Sequence, residues 1–307
     1  MKGLLRSVLT DRHGDIRLGW KVAAFMCSVL LFATGGILPL RLAGIESPAA
    51  EKAVILLSAL GATWVLTSRV NRKPLRSVGL WLHGATLREV GTGSLLGFLM
   101  MAGIYIVEAA LGFITPSSGP LDPAGALRVT GVSLFWFAAG AMAEELLFRG
   151  YAFQTLIQAV TFLPATLLMA AVFGLAHLQN PHVTAFSLCN VVLAGILFSF
   201  AYMKTRGLWL PFGIHFAWNF SQTTLFGLPT SGTLDPSHAL FNAAQSGPAW
   251  IGGGEFGPEG GVLATIALTG SLWYILKAGH LRPVEGIVTL DSIEDLVPRD
   301  GGGAGSG

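Results

Sequence analysis

Charge is scarce in this chain, and the scarcity excludes most soluble architectures. Asp, Glu, Lys and Arg make up 12% of its 307 residues, against about 25% in a typical soluble domain. The mean hydropathy is +0.62, and no room is left for a large soluble domain beside the apolar runs. Cysteine is nearly absent. Cys27 and Cys189 both lie in apolar stretches, which argues against a disulfide framework or a Cys-based zinc site. Residues 1–20 form a polar, basic lead-in with no small-residue cleavage site before the first apolar stretch, so no cleavable signal peptide is expected. There is no convincing internal repeat, which weakens a transporter built from inverted halves.

What is present is apolar length. A spanning helix needs roughly 20 apolar residues, and eight segments qualify: about 21–43, 53–69, 90–114, 129–151, 160–178, 183–203, 208–227 and 261–278. The fold class expected is therefore all-α, a polytopic membrane protein of about eight helices around an intramembrane polar cavity. Helices 1–3 occupy 21–128, a motif-bearing core 129–227, and the last span 261–280, followed by a tail over 281–307. Pro48, Pro74, Pro116 and Pro181 punctuate the connections. The Gly- and Pro-rich segment 228–260 is expected to be a flexible loop or lid, and the closing GGGAGSG is set aside from fold reasoning.

The distribution of basic residues orients the chain. With the N-terminus inside, 16 of the 19 Lys and Arg fall on the inner side, and only Arg41, Lys52 and Arg128 fall outside. This asymmetry matches the positive-inside rule. Both termini are expected in the cytoplasm, and the membrane is expected to be the plasma (inner) membrane if the source is prokaryotic. The net charge of +2 calls for no nucleic-acid partner.

Three charges interrupt this apolar background inside one span, in AEELLFRGY from Ala143 to Tyr151. Charges at such depth are costly and mark functional sites by default. Glu145 and Arg149 are four residues apart and can pair. Glu144, about 100° around the helix, points away from that pair and is free to act as a general base. The bland alternative is one buried network that only pins helices together. Later spans add FGLAH (Phe173 to His177) and HFAWN (His215 to Asn219). A lone His177 on an apolar helix is more often a core histidine than a catalytic one. His215 and Asn219 share a face and both need partners. Glu144, His177 and His215 would also compose a His/His/Glu zinc set, though without the H-E-x-x-H spacing of soluble zinc proteases, so a metal is left open.

Together these segments resemble the three motifs of the CPBP family, the CAAX proteases and bacteriocin-processing enzymes also called the Abi family. Its patterns Glu-Glu-x-x-x-Arg, Phe-x-x-x-His and His-x-x-x-Asn/Asp are met in order by Glu144, Glu145 and Arg149, by Phe173 and His177, and by His215 and Asn219. Asn190, Gly195 and the run TRGLWLPFGIH extend the likeness over roughly residues 130–225. The resemblance implies an intramembrane endopeptidase acting on membrane-anchored or prenylated proteins or peptides. Glu144 would activate water with help from His177, and His215 and Asn219 would stabilise the oxyanion. Glu145, Arg149, Phe173 and Asn190 would support them. We favour a metal-free mechanism, with zinc as the alternative.

Depth is the difficulty in this reading. If the helices cross straight, Glu144 and His215 lie toward the inner side and His177 toward the outer. The fifth helix must then start late, near Pro164, or be broken or tilted around a cavity. Rival readings are a transporter that relays ions through buried Glu and His, a non-catalytic scaffold or immunity protein, and bis-histidine haem ligation by His177 and His215. The last leaves the glutamates unexplained.

Overall fold

The computed structural model describes residues 9–10, 16–118 and 121–284. Nine helices of ten or more residues dominate them. They are α1 (Leu18–Leu42), α2 (Pro48–Val65), α3 (Thr86–Ala110), α4 (Pro123–Arg149), α5 (Tyr151–Val160), α6 (Phe162–Ala176), α7 (Ala185–Thr205), α8 (Trp209–Phe220) and α9 (Val262–Lys277). Single π turns extend α2 to Val70 and α8 to Leu225. Each of the eight expected spans is thus a helix, and the protein is a polytopic helical membrane protein. The expected tail lies outside the described residues beyond 284.

Helix starts are written locally. Ser47 caps α2 by accepting from Ala50 N at 3.3 Å, and Asp122 caps α4 by accepting from Gly125 N at 2.7 Å. In each case Pro occupies the first turn, where its missing N–H costs nothing. Thr184 and Ser187 form a reciprocal capping box at the start of α7. Packing is written by small residues, because lipid and leucine are equally apolar and supply no drive to associate. Gly93 and Gly97, one turn apart on α3, lie against the α8 carbonyls of Leu210 and Ile214, where any side chain would collide. Gly195 of α7 lets the backbone of Ala170 on α6 approach in the same way.

The fourth span differs from expectation, and the difference answers the depth problem. It does not stop near residue 151. The helix breaks at Gly150 (φ −75°, ψ −125°) and resumes as α5 to Val160, giving an apolar run over Pro123–Val160. The Glu144–Arg149 stretch therefore lies in mid-run, with the ten residues of α5 beyond it. Helix α6 then returns for only 15 residues, starting at Phe162 rather than near Pro164. Ala170 packs on Gly195, and Arg149 Nη2 donates to the same Gly195 carbonyl at 3.1 Å, so those three residues share a level. At 1.5 Å per residue His177 lies roughly 10 Å beyond that level and Glu144 about 8 Å. They meet at comparable depth.

One element was not expected in an all-α fold. Strands β1 (Ile114–Ser118) and β2 (Phe241–Gln245) pair antiparallel, with Ile114 opposite Gln245 and Ser118 opposite Phe241. Segment 226–261 is accordingly built rather than slack. Buried Glu108 at the end of α3 accepts from Gln245 Nε2 at 3.1 Å. The segment then continues through a helical turn at Ala249–Gly252 and two 3-10 turns to α9. It roofs one end of the bundle.

Candidate active site

Beneath this roof lies a cavity of about 620 Å³, walled mainly by α4, α6, α7, α8 and the roof segment, with single residues from α2, α3 and α9. The three sequence motifs converge on it. Glu144, Phe173, His177, Asn190, His215 and Asn219 all reach its wall. Glu145 and Arg149 stand behind it, fully buried.

The two adjacent glutamates occupy different surroundings. The Glu144 side chain is 33% exposed to the cavity, while Glu145 is 0% exposed. Glu145 Oε1 accepts from Arg149 Nη1 at 3.3 Å and from His215 Nδ1 at 2.9 Å. Arg149 is enclosed by rings, its guanidinium 4.7 Å from the centroid of Phe173 and 5.1 Å from that of Phe198. A charge this deep needs such partners, and the planar guanidinium suits both the carboxylate and the ring faces. Phe173 thus does more than fill space: it packs on Arg149, on Phe148 at 5.0 Å and on His177 at 4.6 Å.

His215 is fixed from three sides. Its Nδ1–H points to Glu145, its ring stacks on Phe198 at 4.9 Å and 15°, and Phe173 meets it edge-on. Nε2 is left facing Glu144 Oε2 at 3.6 Å, slightly beyond a direct hydrogen bond. His177 follows the last residue of α6, and its Nδ1 lies 2.7 Å from the Phe173 carbonyl. That carbonyl can only accept, so Nδ1 carries a proton, and in the neutral ring Nε2 is then the acceptor. Asn219, one turn beyond His215, is half-buried and makes no side-chain hydrogen bond among the described residues. Its carboxamide is available to a ligand.

Asn190 is bound on both sides of its amide. Nδ2 donates to the carbonyls of Glu259 and Gly261 at 2.8 and 2.9 Å, and Oδ1 accepts from Thr265 Oγ1 at 2.7 Å. It ties α7 to the roof and to α9. Glu259 itself lines the cavity, a residue that spacing did not single out. Its carboxylate accepts from Trp218 Nε1 at 3.1 Å and from Ser231 N and Oγ at 2.7 and 2.9 Å. Burial pushes its carboxyl above the ordinary range, against the pull of the Ser231 and Trp218 donors and the nearby His177. Asp235 is held below its ordinary range, chiefly by Ser237, and burial lowers the imidazole of His238. Lys52, Asp235 and His238 complete the polar wall toward the roof. The sequence offered weak signals for these: a Pro-Glu-Gly beside the last span, and one of three basic residues outside the inner-side majority.

A zinc ion would need Glu144, His177 and His215 to converge. Among the described residues no three His, Cys, Asp or Glu side chains do so. His177 Nδ1 and His215 Nδ1 are held by the Phe173 carbonyl and by Glu145, which leaves Nε2 of each ring as the nitrogen a ligand would meet. The three groups line one cavity without forming a metal-binding cluster among the described residues.

Comparison with known proteins bears on the same residues. Residues 126–221 match the family model of type II CAAX prenyl endopeptidase Rce1-like proteins. In Bacillus subtilis (strain 168), the chain is similar to "Uncharacterized protein YyaK", at 25% identity over 211 residues, 64% of this chain and 67% of that one. It is also similar to "Putative membrane peptidase YdiL" of the same organism, at 29% identity over 80 residues, 26% of this chain and 31% of that one. The chain therefore spans about a third of the second relative. No solved structure matches this chain.

Proposed function

We propose that this protein is an intramembrane endopeptidase that hydrolyses peptide bonds of membrane-associated or prenylated, CAAX-type substrates with a glutamate-activated water. The observation that carries the reading is the asymmetry of the glutamate pair. Glu145 is consumed by Arg149 and His215, while Glu144 faces the cavity 3.6 Å from His215 Nε2. The Rce1-like match over the segment that contains all three motifs supports a membrane protease in general.

The steps follow from the atoms available. A water held between the Glu144 carboxylate and the Nε2 lone pair of His177 gives a proton to Glu144 and its oxygen to the scissile carbonyl carbon. The carbonyl oxygen becomes an oxyanion, and the Asn219 amide and His215 Nε2–H donate to it. His215 donates in its doubly protonated form, whose charge Glu145 balances at 2.9 Å. A donor so placed contributes about 3–4 kcal/mol to the transition state. Glu144 then passes its proton to the departing amine nitrogen as the C–N bond breaks. Glu145, Arg149, Phe173 and Asn190 touch no reacting atom and keep the helices in register.

The bias of basic residues supports a topology with both termini in the cytoplasm and the roof on the opposite side. Reporter fusions after residue 80 and near residue 240 should read opposite compartments. The test of activity is a comparison of protein termini in cells carrying wild type or Glu144→Gln. New C-termini or trimmed leaders that vanish with the variant support the reading. Identical termini at equal expression would defeat it.

A further inference from the structure

At the end of the bundle opposite the roof, two connections are fastened together. The loop from α2 to α3 (residues 71–85) lies against the turn from α7 to α8. Leu208 N donates to the Gly79 carbonyl at 3.1 Å, and Trp209 Nε1 donates to the Trp81 carbonyl at 2.6 Å. Helix α9 ends beside them, where Lys204 Nζ donates to the Leu276 carbonyl at 3.1 Å. Arg69, Arg72, Arg76 and Arg88 are exposed on the α2–α3 loop and its flanking turns, and none makes an ion pair with a described residue. Among the described residues Glu89 is the carboxylate at this end, and it is buried and faces His83.

Apolar side chains stand among these arginines. Leu82 and Leu87 are 79% and 86% exposed, and exposed Trp64 lies under the Arg69 guanidinium, 5.9 Å from ring centroid to charge. A loop joining two spans sits at the bilayer surface, and this mixture lets apolar tips enter the acyl layer while the charges meet headgroups. Basic residues here also orient the chain, so charge alone calls for no ligand. The backbone supplies a second observation. Arg72 (φ +53°) and Arg206 (φ +54°) both lie in the left-handed region, where glycine or asparagine is the usual occupant. Arg206 is the residue that ends α7, the station a glycine commonly fills. One strained arginine thus sits on each of the two connections that the Gly79–Leu208 bond joins. A charge that only orients the chain is served equally well by an unstrained neighbouring position. Strain kept at a particular residue points to work done by its side chain, and a guanidinium grips phosphate bidentately.

We infer that this end of the protein is a binding surface for the phosphate headgroups of anionic phospholipids, formed by Arg69, Arg72, Arg76 and Arg88 with Arg206. Lipid is the occupant rather than a soluble anion, because Leu82 and Leu87 beside the arginines match acyl chains. The surface is fastened to the first turn of α8, the helix that carries His215 and Asn219. It does not depend on the endopeptidase reading.

The test counts bound lipid. Full-length protein in neutral detergent is titrated with phosphatidylglycerol and with phosphatidylcholine of the same acyl chains, and native mass spectrometry reads the occupancy. Wild type should bind phosphatidylglycerol at least about tenfold more tightly, and about 0.5 M salt should shrink the preference. Each single Arg→Gln change at the surface should weaken phosphatidylglycerol binding about fivefold. The triple variant Arg72→Gln, Arg76→Gln, Arg88→Gln should bind the two lipids within about twofold of each other, the remainder left after losing three such contributions. Arg72→Gly guards against a folding defect: glycine takes the left-handed backbone without strain, so this variant should melt no lower than wild type yet lose its share of the binding. Arg128→Gln, exposed at the roof end, should leave the preference unchanged. Equal binding of the two lipids by wild type, the outcome if Asp291, Glu294 and Asp295 of the tail cover the surface, overturns the inference. A preference that survives in the triple variant, or that falls as far in Arg128→Gln, overturns it as well.

Discussion

Helix α1 and helix α7 are equally apolar, with mean hydropathies of 2.0 and 1.9 over their most apolar windows, yet they occupy opposite positions in the molecule. Only 11% of the α1 window is buried inside the protein, against 50% for α7. On α1, Leu30 and Leu31 are 65% and 69% exposed, and the Ser28 hydroxyl bonds back to its own helix at the Ala24 carbonyl. On α7, Gly195 supplies the carbonyl for Arg149, Asn190 binds the roof, and Phe198 carries the His215 ring. Hydrophobicity does not distinguish a lipid-facing helix from a central one. The small and polar residues do, because they alone prefer protein to lipid.

The largest effect that would sharpen this contrast is removal of the buried cation. Arg149→Ala leaves Glu145 with His215 alone, and Glu145→Gln removes the carboxylate that balances Arg149. Either should cost about 3–5 kcal/mol, as breaking a buried pair does. Folded yield and thermal unfolding in detergent should both fall. Wild-type stability for either variant would break the distinction between the two glutamates.

The roof offers a smaller effect with a definite sign. Burial raises the Glu259 carboxyl above its unfolded value, so the folded state holds its proton more tightly. The stabilisation this gives is complete below the ordinary carboxylate range and is lost as pH rises through the raised value. Thermal stability should therefore decline with rising pH across that window, and Glu259→Gln should flatten the decline. An identical slope in the variant would show that the roof does not depend on this proton.

At the far end of the scale, Leu31→Ala on the lipid face of α1 should shift stability by no more than about 0.5 kcal/mol. A loss comparable to that of Arg149→Ala would erase the comparison between α1 and the core. Smaller still should be the effect of metal removal. Exhaustive chelation should leave turnover unchanged, checked by metal analysis of the same sample. A stoichiometric zinc whose loss stops activity and whose return restores it would overturn the metal-free mechanism.

Much of the fold was legible because a bilayer enforces length. Each expected span became a helix, with boundaries moved by a few residues. The Gly150 break and α5 were not legible, since AFQTLIQAV reads as plain apolar sequence whether it ends a span or prolongs one. Nor was the β1–β2 pair, whose strands lie more than 120 residues apart and carry no local turn signal. The motif residues stood out in the sequence because polar groups are rare there, and the structure gathers them around one cavity. Lys52 and Glu259 reach the same cavity from outside the motif segment. No spacing along the chain links them to Glu144; only the folded path of α2 and the roof brings them near.

The central claim is that Glu144 activates water and that Glu145 does not. Its most direct measurement is cleavage of a membrane-anchored peptide by protein reconstituted in lipid vesicles, with products read by mass spectrometry. Wild type should cut it, and Glu144→Gln should lose at least about 10²-fold in rate, the scale of a general base, while folding to the same yield and melting point. Cleavage by Glu144→Gln at the wild-type rate would contradict the account.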